Sequence, residues 1–356
     1  MSELRWNPLL GTWTIVAPNR QDRPTVTDRG CPFCPGSGKV PSQYTVLSYD
    51  NDFPALSLEV PEEGGLEPQV EAGPYRSVPG YGKCEVILYS SDHEKALWEL
   101  SPAHLESLVD LWCERCAELS KDPRIKYVFV FENRGPEVGV TIHHPHGQIY
   151  AYSFVPLKLQ TELENCKRYF DGQGICLLCH MNQTEEQSGM RMIAQNQDFL
   201  AYLPYFTDYP YGVFIVPRRH IRDLPSLTRG ERANLAQILK EISGAFDTLF
   251  DRVFPYMMCV HQVPVNSPEF DGAENYYHLH IEFYPPLRAK NRIKYYASSE
   301  MGAWAACNPL FVEETALKLR EALEKFRSQH PDGVGPGDES LEAGSGLGGD
   351  GGATKP

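Results

Sequence analysis

The chain has 356 residues, of which 42% are hydrophobic and 22% charged, an ordinary composition for a globular protein. A formal net charge of -14 argues against nucleic acid or an anionic membrane as a partner, although basic residues clustered locally still allow a small anionic ligand. The N-terminal stretch MSELRWNPLLGTW lacks the pattern of a secretory signal, and no segment approaches the ~20 apolar residues that span a bilayer. We therefore expect a cytosolic protein whose ten cysteines are thiols or metal ligands.

The first half of the chain predicts a strand, a helix and two more strands. Residues 83–90 (KCEVILYS) alternate in polarity as a strand does. A helix should follow, with Ser101 as its N-cap and Pro102 at its first position. The run IKYVFVFEN predicts the second strand, and VTIHHPHGQIYAY predicts a third that begins near Gly139.

The second half repeats this plan. GVFIVP predicts a strand, Thr228 and Glu231 fit a capping box for the next helix, and YMMCVHQVPV and YYHLHIEFYPP predict two further strands. Such a duplication indicates an α+β fold, with an antiparallel sheet backed by helices in each half. We expect a first half at residues 1–170, a second at 171–328 and a disordered Gly-rich tail at 329–356.

Each half also contains a Cys-x-x-Cys pair followed by two histidines at corresponding places. Two thiolates with this spacing and two imidazoles are a tetrahedral zinc ligand set. The spacing predicts one zinc site from Cys31, Cys34, His93 and His144, and a second from Cys176, Cys179, His220 and His278. His180 competes with His220 for the second site because it directly follows Cys179.

The histidines of VTIHHPHGQIYAY suggest chemistry on phosphorus. Alternate side chains of a strand share a face, so His144, His146 and Gln148 should face one way and His143 the other. With His144 held by metal, His146 is expected to attack phosphorus as a neutral imidazole whose other nitrogen bonds a backbone carbonyl. Gly147 would let a phosphate approach, and the Gln148 amide would stabilise charge on its oxygens.

The motif FENRG followed by HPHGQIYAYSFVP resembles the active-site signature of the galactose-1-phosphate uridylyltransferase family, a duplicated branch of the histidine-triad superfamily. The resemblance implies duplicated histidine-triad-like halves with half-barrel sheets. It implies that His146 takes UMP from UDP-glucose, releases glucose 1-phosphate and passes the uridylyl group to galactose 1-phosphate, a ping-pong exchange that yields UDP-galactose. Gln148 matches the phosphate-stabilising glutamine of the family.

The same resemblance assigns substrate-binding positions. Arg20 and Arg23, in the basic turn APNRQDRP, would meet the phosphates, and without the resemblance they would be taken as a solvated turn. Three further positions would lie near the nucleotide phosphates: Asn133, Gly139 and Thr141. The segment RIKYYASSE resembles the hexose-binding segment, whose contacts would be Lys294, Tyr295 and Glu300. The family also implies a homodimer with a site shared between subunits.

The resemblance leaves the second metal site open. The zinc site of the first half matches a structural site in many members, and the second Cys-x-x-Cys resembles members with two zinc ions. Other members have an iron or zinc site whose positions here are Glu162, His261, His280 and Glu282, the last replacing a histidine. By internal position Glu282 corresponds to Gln148, and its carboxylate would repel a phosphate, so we expect no nucleophile in the second half.

Two other functions remain open at this stage. One is a related nucleotidyltransferase or phosphorylase that accepts ADP- or GDP-sugars, since such enzymes also use the glutamine. The other is a zinc-stabilised nucleotide-binding protein without turnover. The intact run His146-Gly147-Gln148 argues against this last possibility.

Overall fold

The structure, a computed structural model, describes residues 2–21, 30–59, 65–66 and 68–331. Its helices are α1 (Pro102–Leu119), α2 (Leu157–Gln173), α3 (Leu177–Ser188), α4 (Arg229–Phe250), α5 (Ser298–Ala303) and α6 (Val312–Gln329). Its strands are β1 (Glu3–Asn7), β2 (Thr12–Val16), β3 (Leu47–Asp50), β4 (Gln69–Ala72), β5 (Tyr75–Pro79), β6 (Gly82–Leu88), β7 (Tyr127–Arg134), β8 (His146–Tyr152), β9 (Met192–Gln195), β10 (Phe199–Tyr202), β11 (Phe214–Pro217), β12 (Tyr256–His261), β13 (His280–Tyr284), β14 (Leu287–Ala289) and β15 (Arg292–Ile293).

A nine-stranded sheet forms the centre of the fold, in the order β3-β6-β8-β7-β12-β13-β11-β10-β9. Neighbouring strands in it are antiparallel, and β7 pairs with β12 in the middle, with Asn133 opposite Met257. The order β6-β8-β7 of the first half therefore continues as its reverse, β12-β13-β11, in the second half. The two predicted halves share one sheet, related by an approximate two-fold axis at this seam, and the predicted α+β class is confirmed.

Helices cover one face of the sheet and leave the other face to polar and aromatic side chains. The covered face packs the apolar residues Ile149, Val130 and Ile281 against α1, α4 and α6 in one large core. His146 and Gln148 alternate with Gly147 and Ile149 along β8, so they belong to the opposite, open face. None of the described helices combines the length and the apolar character that a membrane span requires.

Both predicted helix starts are confirmed, and each has a physical cause. The Ser101 hydroxyl accepts a hydrogen bond from the His104 amide, and Pro102 begins α1. At α4, Thr228 accepts from the Glu231 amide at 3.3 Å while the Glu231 carboxylate accepts from the Thr228 amide at 2.8 Å. These bonds satisfy amides that would otherwise lack partners at the ends of the helices.

The strands that contain the histidine pairs begin later than predicted. The third strand starts at His146 instead of near Gly139, and the last starts at His280 instead of at residue 276. Pro145 has no N–H for a ladder, and His144 and His278 turn towards cysteine pairs. The prediction that strand alternation points His143 away from His146 is therefore wrong. His143 lies before the strand, is exposed and lines the same cavity as His146.

Several helices were not predicted. The prediction of one long helix per half omitted α2, α3, α5 and α6. The expected boundary between the halves, at residue 170, falls near the end of α2, and α6 continues to Gln329. The remainder of the expected tail, residues 332–356, lies outside the described residues.

Candidate active site and metal centres

The first metal centre forms between a turn, a loop and the start of β8. Its four donor atoms, from Cys31, Cys34, His93 and His144, lie within 4.8 Å of one another. The Sγ atom of Cys34 is 3.3 Å from Nδ1 of His93 and 3.7 Å from Nδ1 of His144. Zinc bonds of ~2.3 Å to sulfur and ~2.0 Å to nitrogen give a tetrahedral edge of about 3.5 Å, so this donor set fits zinc.

The second metal centre repeats the first at the corresponding place. Cys176, which is the N-cap residue of α3, and Cys179 meet His220 and His278, again within 4.8 Å. The Sγ atom of Cys179 is 3.2 Å from Nδ1 of His220 and 3.4 Å from Nδ1 of His278. His180, the competing candidate, lies apart from this group and forms a 2.6 Å hydrogen bond with the Tyr169 hydroxyl.

Backbone carbonyls fix the orientation of three of the four imidazoles. Nε2–H of His144 donates to the Ser90 carbonyl at 2.7 Å, and that of His278 donates to the Arg219 carbonyl at 3.0 Å. His220 donates in the same way to the Glu274 carbonyl at 2.8 Å. Since the proton is on Nε2, the Nδ1 lone pair of each ring points at the thiols, which is the orientation that a metal ligand needs.

Each centre contains a thiol whose pKa is raised. Burial raises the pKa of Cys31 to about 11, so without a cation this thiol keeps its proton. At the second centre the hydrogen bond between the two thiols lowers the pKa of Cys176 and raises that of Cys179. A divalent cation stabilises thiolates, so metal binding would release protons at both centres.

His146 follows His144 of the first centre by two residues and is the first residue of β8. Its Nδ1–H donates to the His144 carbonyl at 2.7 Å, which assigns the lone pair to Nε2. Its neighbour Gln148 lies opposite Phe131 of β7, on the same face of the sheet. The centre that holds His144 therefore also positions the carbonyl that orients His146.

Gly147 packs closely against Tyr89 and the backbone of β7. A Cβ atom at this residue would lie 2.3 Å from the Tyr89 hydroxyl and 3.1 Å from the Phe131 carbonyl oxygen, so only glycine fits. A cavity of about 480 Å³ opens at this end of the strands, and its wall includes Tyr89, Glu132, Asn133 and His146. The volume is within the range of small-ligand sites.

The other predicted phosphate contacts are spread more widely, and Arg20 lies further along β8 than His146 does. Arg20 donates to the Tyr150 hydroxyl at 2.8 Å, and Tyr150 follows Gln148 on the open face. Asn133 is near the end of β7, and Gly139 has the left-handed φ of 80° that favours glycine. The Thr141 hydroxyl is buried and has no hydrogen-bond partner within the described ranges. Arg23 lies outside the described residues.

The predicted hexose-binding residues lie in the second half of the chain, away from β8 and His146. The buried Lys294 ammonium stands over the rings of Tyr209, at 4.9 Å, and Tyr296, at 4.3 Å, and finds no hydrogen-bond partner among the described residues. Tyr295 is 73% exposed. Glu300 accepts a 3.3 Å hydrogen bond from the amide of Ala297, which caps α5.

The alternative second metal site has a lysine in it. Donor atoms of Glu162, His261 and His280 lie within 4.8 Å of one another, and Glu282 is 3.2 Å from Nε2 of His280. The ammonium of Lys158, however, contacts the Glu282 carboxylate at 2.6 Å. The Lys158 ammonium therefore neutralises one of the two carboxylates and occupies the place beside Glu282 that a metal ion would need.

Three side chains around the site were missed in the sequence: Tyr89, Glu132 and Lys158. Glu132 belongs to the FEN motif, which was the available signal for it. Lys158 precedes Glu162 by four residues, a spacing at which opposite charges meet on a helix. No pattern in the sequence distinguishes Tyr89 from an ordinary core aromatic residue.

A His-x-His strand end in each half, with a group of two cysteines and two histidines beside it, is the duplicated arrangement that the sequence resemblance implied. Residues 1–156 match the family described as galactose-1-phosphate uridyl transferase, N-terminal domain, and residues 162–329 match its C-terminal domain. The galactose-1-phosphate uridylyltransferase of Thermotoga maritima is 37% identical over 322 residues, which are 90% of this chain and 98% of that protein. The chain belongs to the galactose-1-phosphate uridyl transferase family, as the resemblance implied.

Solved structures agree with this assignment. A uridylyltransferase structure superposes with a TM-score of 0.81 at 31% identity, covering 91% of this chain and 99% of that one. An ADP-glucose phosphorylase from Arabidopsis thaliana, solved with bound ADP-glucose, has a TM-score of 0.69 at 24% identity, covering 90% and 99%. This second likeness shows a common fold. The predicted enzyme class, a nucleotidyltransferase, is confirmed by the family.

Proposed function

We propose that the protein transfers the uridylyl group of UDP-glucose to galactose 1-phosphate by a ping-pong mechanism. Nε2 of His146 attacks the α-phosphorus, a P–N bond forms, and the P–O bond to glucose 1-phosphate breaks. A phosphate oxygen of galactose 1-phosphate then attacks the same phosphorus, and the P–N bond breaks to release UDP-galactose. The observation that supports this most is the 2.7 Å hydrogen bond from Nδ1 of His146 to the His144 carbonyl, which leaves Nε2 as the nucleophile.

The surrounding polar groups have assigned roles in this proposal. The Gln148 amide and the Arg20 guanidinium would stabilise charge on the non-bridging oxygens of the reacting phosphate, with Arg23 beside it. Asn133, the Gly139 backbone and the Thr141 hydroxyl would hold the nucleotide phosphates. A buried hydroxyl without a partner costs free energy, and a bound phosphate oxygen would satisfy Thr141.

The metal ions would be structural. Zinc at the centre of Cys31 and His144 would fix the loop before β8, and the carbonyl of His144 in turn orients His146. Zinc at the Cys176 centre would hold the start of α3 against β13. When bound, the ions would supply cross-links between segments, while the transfer itself needs only the side chains already named.

A shared active site between two subunits explains where the hexose-binding residues are. Tyr284 lies three strands from β8, or about 14 Å at the usual strand spacing, and Lys294 packs beyond it against Tyr209. The hexose is joined to the reacting phosphorus by a single phosphate, so it must bind closer than this to His146. We infer a homodimer in which Lys294, Tyr295 and Glu300 of one subunit complete the site of the other.

This arrangement can be tested by mixing two inactive variants. His146→Ala removes the nucleophile, and Glu300→Gln weakens hexose binding while its amide oxygen still accepts from Ala297. Mixed dimers contain one intact composite site, so activity should return when the two variants are unfolded and refolded together. Mixtures that stay inactive would rule out the shared site.

All ten cysteines are described and none forms a disulfide, which is the state expected in a reducing compartment. We therefore propose the cytosol as the site of action.

Mass spectrometry of the intact protein tests the mechanism. After mixing with UDP-glucose and no acceptor, an acid-labile UMP adduct should appear, map to His146 and disappear on addition of galactose 1-phosphate. His146→Ala should form no adduct, whereas the matched variant His180→Ala, which changes an exposed histidine outside the site, should form it normally. ADP-glucose and GDP-glucose are tested in parallel. An AMP or GMP adduct discharged by inorganic phosphate would assign a phosphorylase, and no adduct from folded, zinc-loaded protein would contradict the transferase.

A further inference from the structure

The open face of the second half contains a compact charged group, which we call the Lys158 cluster: Lys158, Glu162, His261, His280 and Glu282. The two imidazoles and Glu282 are buried, with exposed fractions of 3% or less. Nδ1 of His261 donates to Glu162 at 2.8 Å, and Nε2 of His280 lies 3.2 Å from the Glu282 carboxylate. Two carboxylates and two imidazoles therefore meet where the start of α2, the end of β12 and the strand β13 come together.

Lys158 supplies the positive charge at that point. Its Nζ atom lies 2.6 Å from Glu282 and 3.6 Å from Glu162, and it donates to the Tyr284 hydroxyl. The Tyr284 ring is 4.7 Å from the same atom, which adds a cation–π contact. Without the ammonium, Glu282 would lose its closest lysine partner in a partly buried setting, which is costly for a carboxylate.

The cluster has the composition of a divalent cation site. Two carboxylates and two imidazoles are a ligand set for zinc, ferrous iron, manganese or cobalt, and neighbouring groups already hold each ring in place. Tyr277 donates to Glu162 at 2.7 Å, and Nδ1 of His280 donates to the His278 carbonyl at 2.9 Å. The second of these bonds points Nε2 of His280 inward, as a ligand would be.

We propose that Lys158 is an internal cation that occupies a latent divalent-metal site formed by Glu162, His261, His280 and Glu282. The ammonium neutralises one carboxylate and keeps a metal ion out by charge repulsion and by its position. Replacing it with a neutral side chain opens the site, because the ligands remain in place and Glu282 then lacks its lysine counter-ion. The side chain of Lys158 is 56% exposed, so an ion can reach the point that it vacates.

Metal counting tests this directly. Wild type, Lys158→Met and Lys158→Arg are loaded with zinc at the two cysteine centres, and then dialysed against excess Co²⁺ with the total metal measured per chain. Lys158→Met keeps an apolar stem but no charge, and it should bind one additional ion per chain. Wild type and Lys158→Arg should not. Adding Glu282→Gln to Lys158→Met should abolish the extra binding.

The cobalt spectrum identifies where the extra ion binds. Cobalt held by carboxylates and imidazoles has d–d bands but no thiolate-to-cobalt charge-transfer band, so exchange into a cysteine centre is recognised. Equal metal content in wild type and folded Lys158→Met would overturn the proposal, as would a third, thiolate-free ion in wild type. If Lys158→Met does not fold, Lys158→Gln and the wild-type titration give the same decision. None of these readouts depends on transfer activity.

Discussion

We predict that Glu132 makes the folded protein less stable as the pH rises, and that the variant Glu132→Gln lacks this contribution. The carboxyl is buried at the end of β7, where Oε1 accepts from the Tyr256 hydroxyl at 3.1 Å and Oε2 has no partner within the described ranges. Burial raises the pKa of Glu132 to about 7, against the attraction of Arg134, from an ordinary value of 4.5. The folded protein therefore favours the neutral acid.

The sign and size of the effect follow from this shift. Because the folded pKa is above the unfolded one, the contribution of Glu132 to stability is fully present below pH 4.5 and is lost as the pH rises to 7. A shift of about 2.5 units corresponds to about 3 kcal/mol, of which roughly 2 to 3 kcal/mol is lost between pH 5 and pH 8. Glu132→Gln keeps the shape without the charge, so its stability relative to wild type should rise by this amount over that range.

Urea unfolding at several pH values, with equal zinc loading, measures the difference. Each comparison is made between variants at one pH, so the pH dependence of metal binding cancels. Glu164→Gln changes an exposed carboxylate and is the matched control, whose difference from wild type should stay nearly constant. A flat difference for Glu132→Gln would mean that the buried carboxylate is ionised and solvated, and the reasoning would fail.

Three further predictions concern the site and its supports. Gly147→Ala forces a Cβ against the Tyr89 hydroxyl, and adduct formation should slow by about 100-fold, with partial recovery when Tyr89→Phe is added; an unchanged rate would show that the strand yields easily. Thr228→Ala removes the α4 cap and should lower the free energy of unfolding by about 1 kcal/mol in urea, leaving transfer activity unchanged. Cys176→Ser should lose one zinc ion per chain and melt at a lower temperature, whereas His180→Ala should keep both ions, and equal zinc content in the two variants would contradict the assigned ligands.

Local sequence signals predicted those features that depend on neighbouring residues. The caps at Ser101 and Thr228 were correct because their hydrogen bonds join residues three apart. The structure brings together the cysteine pairs and histidines that the sequence grouped, because the duplication gave each half as a check on the other. Neither signal required knowledge of how distant segments meet.

Features that depend on distant contacts were missed or misplaced. The strand of His146 was extended too far because alternation continues through Pro145, whereas His144 turns to reach cysteines more than a hundred residues earlier. The role of Lys158 depends on Glu282, which is 124 residues away. Helix α2 starts after Pro156 without a side-chain cap, although its buried Leu159, Leu163 and Cys166 repeat with a helical period that was the usable signal.

The pairing of β7 with β12 joins the two halves as if they were two subunits fused into one polypeptide. In a symmetric pair of identical chains every substitution appears twice, so both strand ends must change together. Here the two copies differ: one has Gln148 two residues after its histidine, and the other has Glu282. A single polypeptide therefore permits two strand ends of different charge, whereas a symmetric pair of identical chains would require them to be alike.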